Sequence, residues 1–167
     1  MPDTERYLSR VKSYTGGNDP LLMQAEAPKI LAELIDGVSE QTLCREPAPG
    51  KWSVAEILAH LADDEVATSW RYRQMIESSG CALPGFDQDE WARMGQNTSR
   101  DARQSLQLFS LLREANLHML RHLTEDEWQR YGMHAERGRI SVKDLARHMA
   151  GHDMNHVEQI RKILGKV

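Results

Sequence analysis

From Ser141 to the C-terminus the chain keeps a register that few folds can accommodate. Val142, Met149, His156 and Ile163 stand seven residues apart, and Leu145, His152 and Gln159 fill the complementary positions. That spacing predicts one long amphipathic helix from Ser141 to near Gly165, whose apolar seam must be covered by other helices. The seam runs through two histidines, so both are expected to face inward. His148 falls at its edge beside Arg147 and reads as a surface or boundary histidine.

Capping signals mark the other helices. Asp19-Pro20 opens one that runs to about Asp36, with Pro28 either bending it or marking its true start. The stretch "REPAPGK" is a loop that delivers the chain to Trp52, which is expected to act as a hydrophobic staple. Ser53 and Glu56 form a capping box that opens a helix reaching about Ser78. A third long helix spans about Asp101 to Leu123, and Thr124 caps a short one in "TEDEWQR". Between Gly80 and Arg100 the periodicity is lost, apart from one turn around Asp89-Glu90-Trp91. A connection of that length is more often functional than accidental. "MHAERGR" reads as a loop, and strand signals are almost absent.

These signals predict an all-α fold, a four-helix bundle with long crossover connections, as one domain over 1–167 with its core at about 19–165. "SVAEILAHLADDE" and "SVKDLARHMAGHD" also echo one another in cap, acid and histidine, which one capped-helix solution used twice explains as well as a repeat does.

Two imidazoles at i and i+4 lie one turn apart on one helix face, close enough to hold a single ion. An open divalent site normally takes three protein ligands, so a neighbouring helix must supply another. The second long helix offers His60, flanked at helical spacing by Glu56, Asp63 and Asp64, which could orient its far nitrogen. His118 and His122 are also four apart but lie off the Leu108, Leu112, Leu117 and Leu120 stripe, and are expected to be solvated or half-buried. On spacing alone, the inward histidines read equally as ligands of an ion or as core residues satisfied by their neighbours.

Composition narrows the function classes. A net charge of −4, with no Lys/Arg run interleaved with aromatics, offers no footprint for nucleic acid. No apolar run approaches the ~20 residues that span a bilayer, and the N-terminus is too polar for a signal peptide, so a cytoplasmic protein without a membrane partner is expected. Cys44 and Cys81 form no CxxC arrangement and read as ordinary thiols.

"PAPGKWSVAEILAHLADDE" followed by "ISVKDLARHMAGHDMNHVEQI" resembles the DinB/YfiT-like superfamily of metal-binding four-helix bundles, over about Leu21 to Leu164. The resemblance implies a divalent metal held by His60, His152 and His156, with water in the remaining positions. Zinc or nickel suits three imidazoles best, with iron or manganese as further candidates. It also implies a small-molecule substrate and either of two chemistries. One is metal-dependent hydrolysis through the bound water, with Asp63, Asp64 or Glu56 as acid/base or orienting carboxylates. The other is transfer of a low-molecular-weight thiol, with Arg71, Arg73 and the Gly80–Arg100 loop binding its carboxylates. A third reading is a non-enzymatic, metal-stabilised stress or binding protein. Many members of the superfamily are dimers, and Trp70 and Trp91 could line a core or a homodimer face.

Overall fold

Side chains at the start of each long helix satisfy its first amides. In the computed structural model, which describes residues 2–166, Ser53 Oγ accepts from the Glu56 amide while the Glu56 carboxylate accepts from the Ser53 amide, and Ser141 and Asp144 repeat this pairing. The chain runs α1 (Pro2–Thr15), α2 (Pro20–Ile35), α3 (Glu40–Leu43), α4 (Val54–Glu77), β1 (Cys81–Leu83), α5 (Gln88–Met94), a 3-10 turn (Asn97–Ser99), α6 (Ala102–Leu120), α7 (Glu125–Gln129), β2 (Tyr131–His134), β3 (Gly138–Ser141) and α8 (Val142–Leu164).

The long helices α2, α4, α6 and α8 make a bundle built from two apolar clusters. α4 runs from the first, at Val54 and Ile57, to the second, at Tyr72 and Met75, and α6 likewise from Ala102 and Phe109 to Leu120. α8 runs oppositely, from Val142 and Leu145 to Val157 and Ile160, and α2 shares its direction, from Leu21 to Leu31 and Ile35. α4 and α6 are therefore parallel neighbours, each packed on the α2 or α8 that runs against it. Adjacent parallel helices cannot be joined by a short turn, so residues 78–101 must travel back along the bundle. That crossover carries β1, α5 and the 3-10 turn, and all three touch α4.

Several local expectations need correction. α2 continues through Pro28, which neither starts the helix nor ends it. Pro28 has no N–H for the Gln24 carbonyl one turn back. Arg113 Nη1 donates to that oxygen instead, at 3.2 Å. The stretch read as the loop "MHAERGR" contains most of an antiparallel hairpin: β2 pairs with β3, Gly138 takes the left-handed conformation (φ 69°) at the turn, and β1 adds in parallel on the other side of β2. On α6 the inward stripe is Leu106, Phe109, Arg113, Asn116, Leu117 and Leu120, while Leu108 is exposed. His118 and His122 are exposed as well.

Ahead of Asp19, Pro2–Thr15 forms α1, which lies along α8. Its approach depends on Gly151, where an added Cβ would stand 2.1 Å from the Val11 carbonyl oxygen and 2.9 Å from Val11 Cγ1. Helix propensity favours Ala over Gly by ~1 kcal/mol. A clash with backbone is harder to relieve, so Gly151→Ala is expected to lower stability by about 1–3 kcal/mol despite that gain. It should also release α1, read as faster amide exchange confined to that helix. Unchanged exchange in α1 would show that α1 is held some other way.

Candidate metal centre

Between the two apolar clusters the bundle is polar. α4 brings in His60, and α8 brings His152 and His156, each no more than 7% exposed. Their Nε2 atoms point at one another: His60 to His152 is 3.3 Å and His156 to His152 is 3.2 Å. One ligand atom from each of the three lies within 4.8 Å of those of the other two.

Burial is the main reason that all three rings resist protonation. The His156 pKa falls to about 3, lowered next by the positive field of His60. His152 falls well below the usual histidine value through burial and then through His156 and His60. His60 is lowered by burial against the opposing pull of Asp64 and Asp63. Three neutral imidazoles are what a divalent ion needs as ligands.

The tautomers add a second argument. His156 Nδ1 lies 3.0 Å from Gln159 Oε1, so Nδ1 carries the proton and Nε2 presents a lone pair. His152 Nδ1 is fully buried, has no hydrogen-bond partner, and faces Asp64 Oδ2 at 3.6 Å. If its proton is on Nδ1 toward Asp64, its Nε2 lone pair meets that of His156. If it is on Nε2, a lone pair on Nδ1 faces a carboxylate. With Asp64 ionised, either tautomer leaves a buried electron pair against another, and a cation among the Nε2 atoms would relieve the first arrangement. The all-nitrogen donor set fits a borderline ion such as zinc or nickel.

The three sequence-nominated carboxylates have separate places. Asp64 lies at the centre, its carboxyl raised by burial and lowered in part by His60 and Arg71. Asp63 accepts from Arg100 at 2.8 Å and from Asn97 at 3.2 Å, which ties the crossover to α4. Glu56 accepts from the Ser53 amide at 2.8 Å and hydroxyl at 2.9 Å in the capping box. Trp52 packs against the first cluster and sets its ring 5.0 Å from that of His60, so it also walls the centre. His148 is half-buried, its ring 6.2 Å from that of His152, and its pKa is lowered to about 4 mainly by burial.

Among known families, residues 25–160 match the model described as the DinB superfamily. The chain belongs to that superfamily. A candidate metal-dependent hydrolase of Oceanobacillus iheyensis is 21% identical over 161 residues, covering 96% of this chain and 85% of that protein. YfiT of Bacillus subtilis, also named a candidate metal-dependent hydrolase, is 22% identical over 144 residues, covering 84% of this chain and 81% of YfiT. The solved YfiT structure, described as an unusual four-helix bundle topology, is similar at a TM-score of 0.82 and 20% identity over 88% of this chain and 85% of that one. The mycothiol-dependent maleylpyruvate isomerase shares the fold at a TM-score of 0.64 and 12% identity, over 87% of this chain and 59% of that one.

In this member of the DinB superfamily the sequence reading missed the group that braces the centre from behind. Arg113 on α6 is 1% exposed, and all five of its N–H groups are used. Nε and Nη2 donate to Glu65 on α4 at 3.0 and 2.8 Å, Nη1 and Nη2 to Asp153 on α8, and Nη1 to the Gln24 carbonyl on α2. One side chain thus joins all four long helices, beside His152. Burial pushes the Asp153 carboxyl up to about 6 against the pull of Arg113. The available signal was Arg113 standing at i+4 from Phe109 and i−4 from Leu117 on an otherwise apolar stripe. Arg73, nominated with Arg71, instead bonds the Ser69 carbonyl and Asn116 Oδ1.

Proposed function

We propose that this protein is a metal-dependent hydrolase, with His60, His152 and His156 holding one divalent ion, zinc or nickel, and Asp64 acting beside it. The observation that carries the reading is the convergence of three buried Nε2 atoms around an imidazole with no satisfactory tautomer. Its relatives named as candidate metal-dependent hydrolases support the same reaction class.

A bound divalent ion supplies Lewis acidity toward a carbonyl and lowers the pKa of a coordinated water toward ~7. The protein does the rest. Gln159 fixes the His156 tautomer, and Asp64 faces His152 Nδ1, where accepting a hydrogen bond would direct the other nitrogen inward and raise its basicity. Trp52, Gln88 and Asp89 line an opening of about 410 Å³ to His152 and His156, with the last two residues supplied by the crossover.

Transfer of a low-molecular-weight thiol is the second reading. Neither Cys44 nor Cys81 lines an opening onto the triad, so a thiol there would come from a co-substrate, as in the mycothiol-dependent structural neighbour. The reading extends to a cytoplasmic homodimer: no described helix is long and apolar enough to cross a membrane, and Val66 and Trp70 on α4 and Leu108 and Leu111 on adjacent α6 expose apolar side chains.

The test assays zinc-loaded and metal-stripped protein for nitrophenyl ester hydrolysis and for thiol transfer to a chromogenic electrophile. Hydrolysis that requires metal is expected, with Asp64→Asn weakening metal affinity about 10–100-fold. Hydrolysis surviving metal removal would overturn the reading, and metal-dependent thiol transfer without hydrolysis would favour the second.

A further inference from the structure

The triad opens on a second side into a cavity of about 600 Å³ whose far wall is unlike the rest of the molecule. Arg71 from α4, His134 from β2, Arg137 from the β2–β3 turn and His148 from α8 all line it, alongside His60 and His152. Volumes of this size hold small molecules, with a few converging polar groups fixing their orientation.

Neither arginine makes an ion pair among the described residues. Arg71 is only 6% exposed, donates to the Pro84 carbonyl at 3.0 Å and sits 5.5 Å from the Phe86 ring centroid, yet it makes no ion pair. Arg137 is half-buried and makes neither a hydrogen bond nor an ion pair among the described residues. The charge of Arg71 acts on Arg137. The Arg137 pKa is lowered by burial and then by Arg71, and Arg137 and Arg71 both act to lower His134 and His148. Two partly desolvated guanidiniums lining one cavity, neither held in an ion pair among the described residues, are costly unless a ligand supplies further negative charge.

A third donor has a fixed tautomer. His134 is 7% exposed, and its Nδ1 accepts from the Glu136 amide at 3.2 Å, so the proton is on Nε2. The carboxylate that acts on both guanidiniums is Asp64, while Glu5 and Glu136 at the rim are exposed. Two guanidiniums against one buried carboxyl leave the cavity lining with positive charge in excess.

We propose that the substrate of the centre carries a carboxylate, held between Arg71 and Arg137 with His134 Nε2–H as a further donor, in the cavity that also opens on His60 and His152. Guanidinium forks recognise planar carboxylates through paired, charge-assisted bonds. The inference deepens the hydrolase reading by naming its substrate class: esters or amides bearing a free carboxylate. The recognition itself rests on the arginines and does not require the ion.

The experiment therefore measures binding calorimetrically on the full chain, both zinc-loaded and stripped with phenanthroline, a chelator that carries no carboxylate. The probes are acetate, benzoate and succinate, their neutral amides, and inorganic phosphate. Binding of at least one carboxylate at millimolar concentration to the stripped protein is expected, without binding of the matching amide. It should weaken about tenfold or more in Arg137→Gln. Arg137 has no bonds to lose, so that variant should fold as the wild type does, and Arg71→Gln gives a second, independent reading. Equal binding of acid and amide, binding unchanged in both variants, phosphate preferred to every carboxylate, or no carboxylate bound would each overturn the proposal. A chain that binds carboxylate but no zinc would overturn the metal reading alone.

Discussion

Replacing His152 by alanine will abolish stoichiometric metal while leaving the metal-free protein folded. Wild type is expected to bind about one ion per chain, and His60→Ala and His152→Ala none that survives dialysis, because an open site left with two imidazoles falls below the usual three protein ligands. His148→Ala, removed from the centre by one helical turn, should retain the ion. Stability separates this from a set of ordinary core histidines. An ion present at 1,000 times its Kd stabilises the fold by roughly 4 kcal/mol, and that increment should vanish in His152→Ala. Without metal, the wild type has no favourable tautomer for His152. His152→Leu in the metal-free state should therefore match or exceed wild type in thermal denaturation. A large loss there, with no metal increment in the wild type, would mean that the histidines satisfy one another and hold nothing.

The second large effect is structural. Arg113→Met removes the shared partner of Glu65 and Asp153 and leaves two buried carboxyls side by side, which is expected to cost about 3–5 kcal/mol. The loss should depend on pH in a definite direction. A stranded carboxyl has a folded pKa raised above its unfolded value, so the native state binds more protons and stability falls as pH rises. Asp153 is already raised to about 6 with Arg113 present, so the decline in the variant should begin near pH 4 and continue upward through and beyond pH 6. Denaturant unfolding at several pH values measures it. Combining Arg113→Met with Glu65→Gln and Asp153→Asn should recover much of the stability and flatten the pH dependence, because no buried charge is then left unpaired. A triple variant no better than the single one would place the cost in lost packing against Phe109, whose ring centroid lies 4.6 Å from the guanidinium carbon.

Local spacing carried one part of this arrangement. The capping boxes at Ser53 and Ser141 join residues three apart, and the α8 seam and its HxxxH pair follow from helical pitch, so those two helix starts and the inward face of α8 were legible without a partner, whereas the α6 face was not. Helix phase put His60 only at the edge of the α4 apolar face; the resemblance to the superfamily nominated it as the third histidine, and the fold brings it to the other two. Tertiary structure alone decided the rest, since each remaining feature joins residues far apart in the chain. Arg113 reaches Glu65, Asp153 and Gln24 across 48, 40 and 89 positions. β2 finds β1 some fifty residues earlier, with Gly132 leaving room for Leu83, so neither strand had an alternation long enough to read. The parallel pairing of α4 with α6 set the path of the crossover, and the β2–β3 turn brought Arg137 to the cavity that Arg71 lines. Local sequence fixes which face of a helix is apolar; it does not fix which helix covers that face, and the three-dimensional arrangement of charge at this site depends on the second choice.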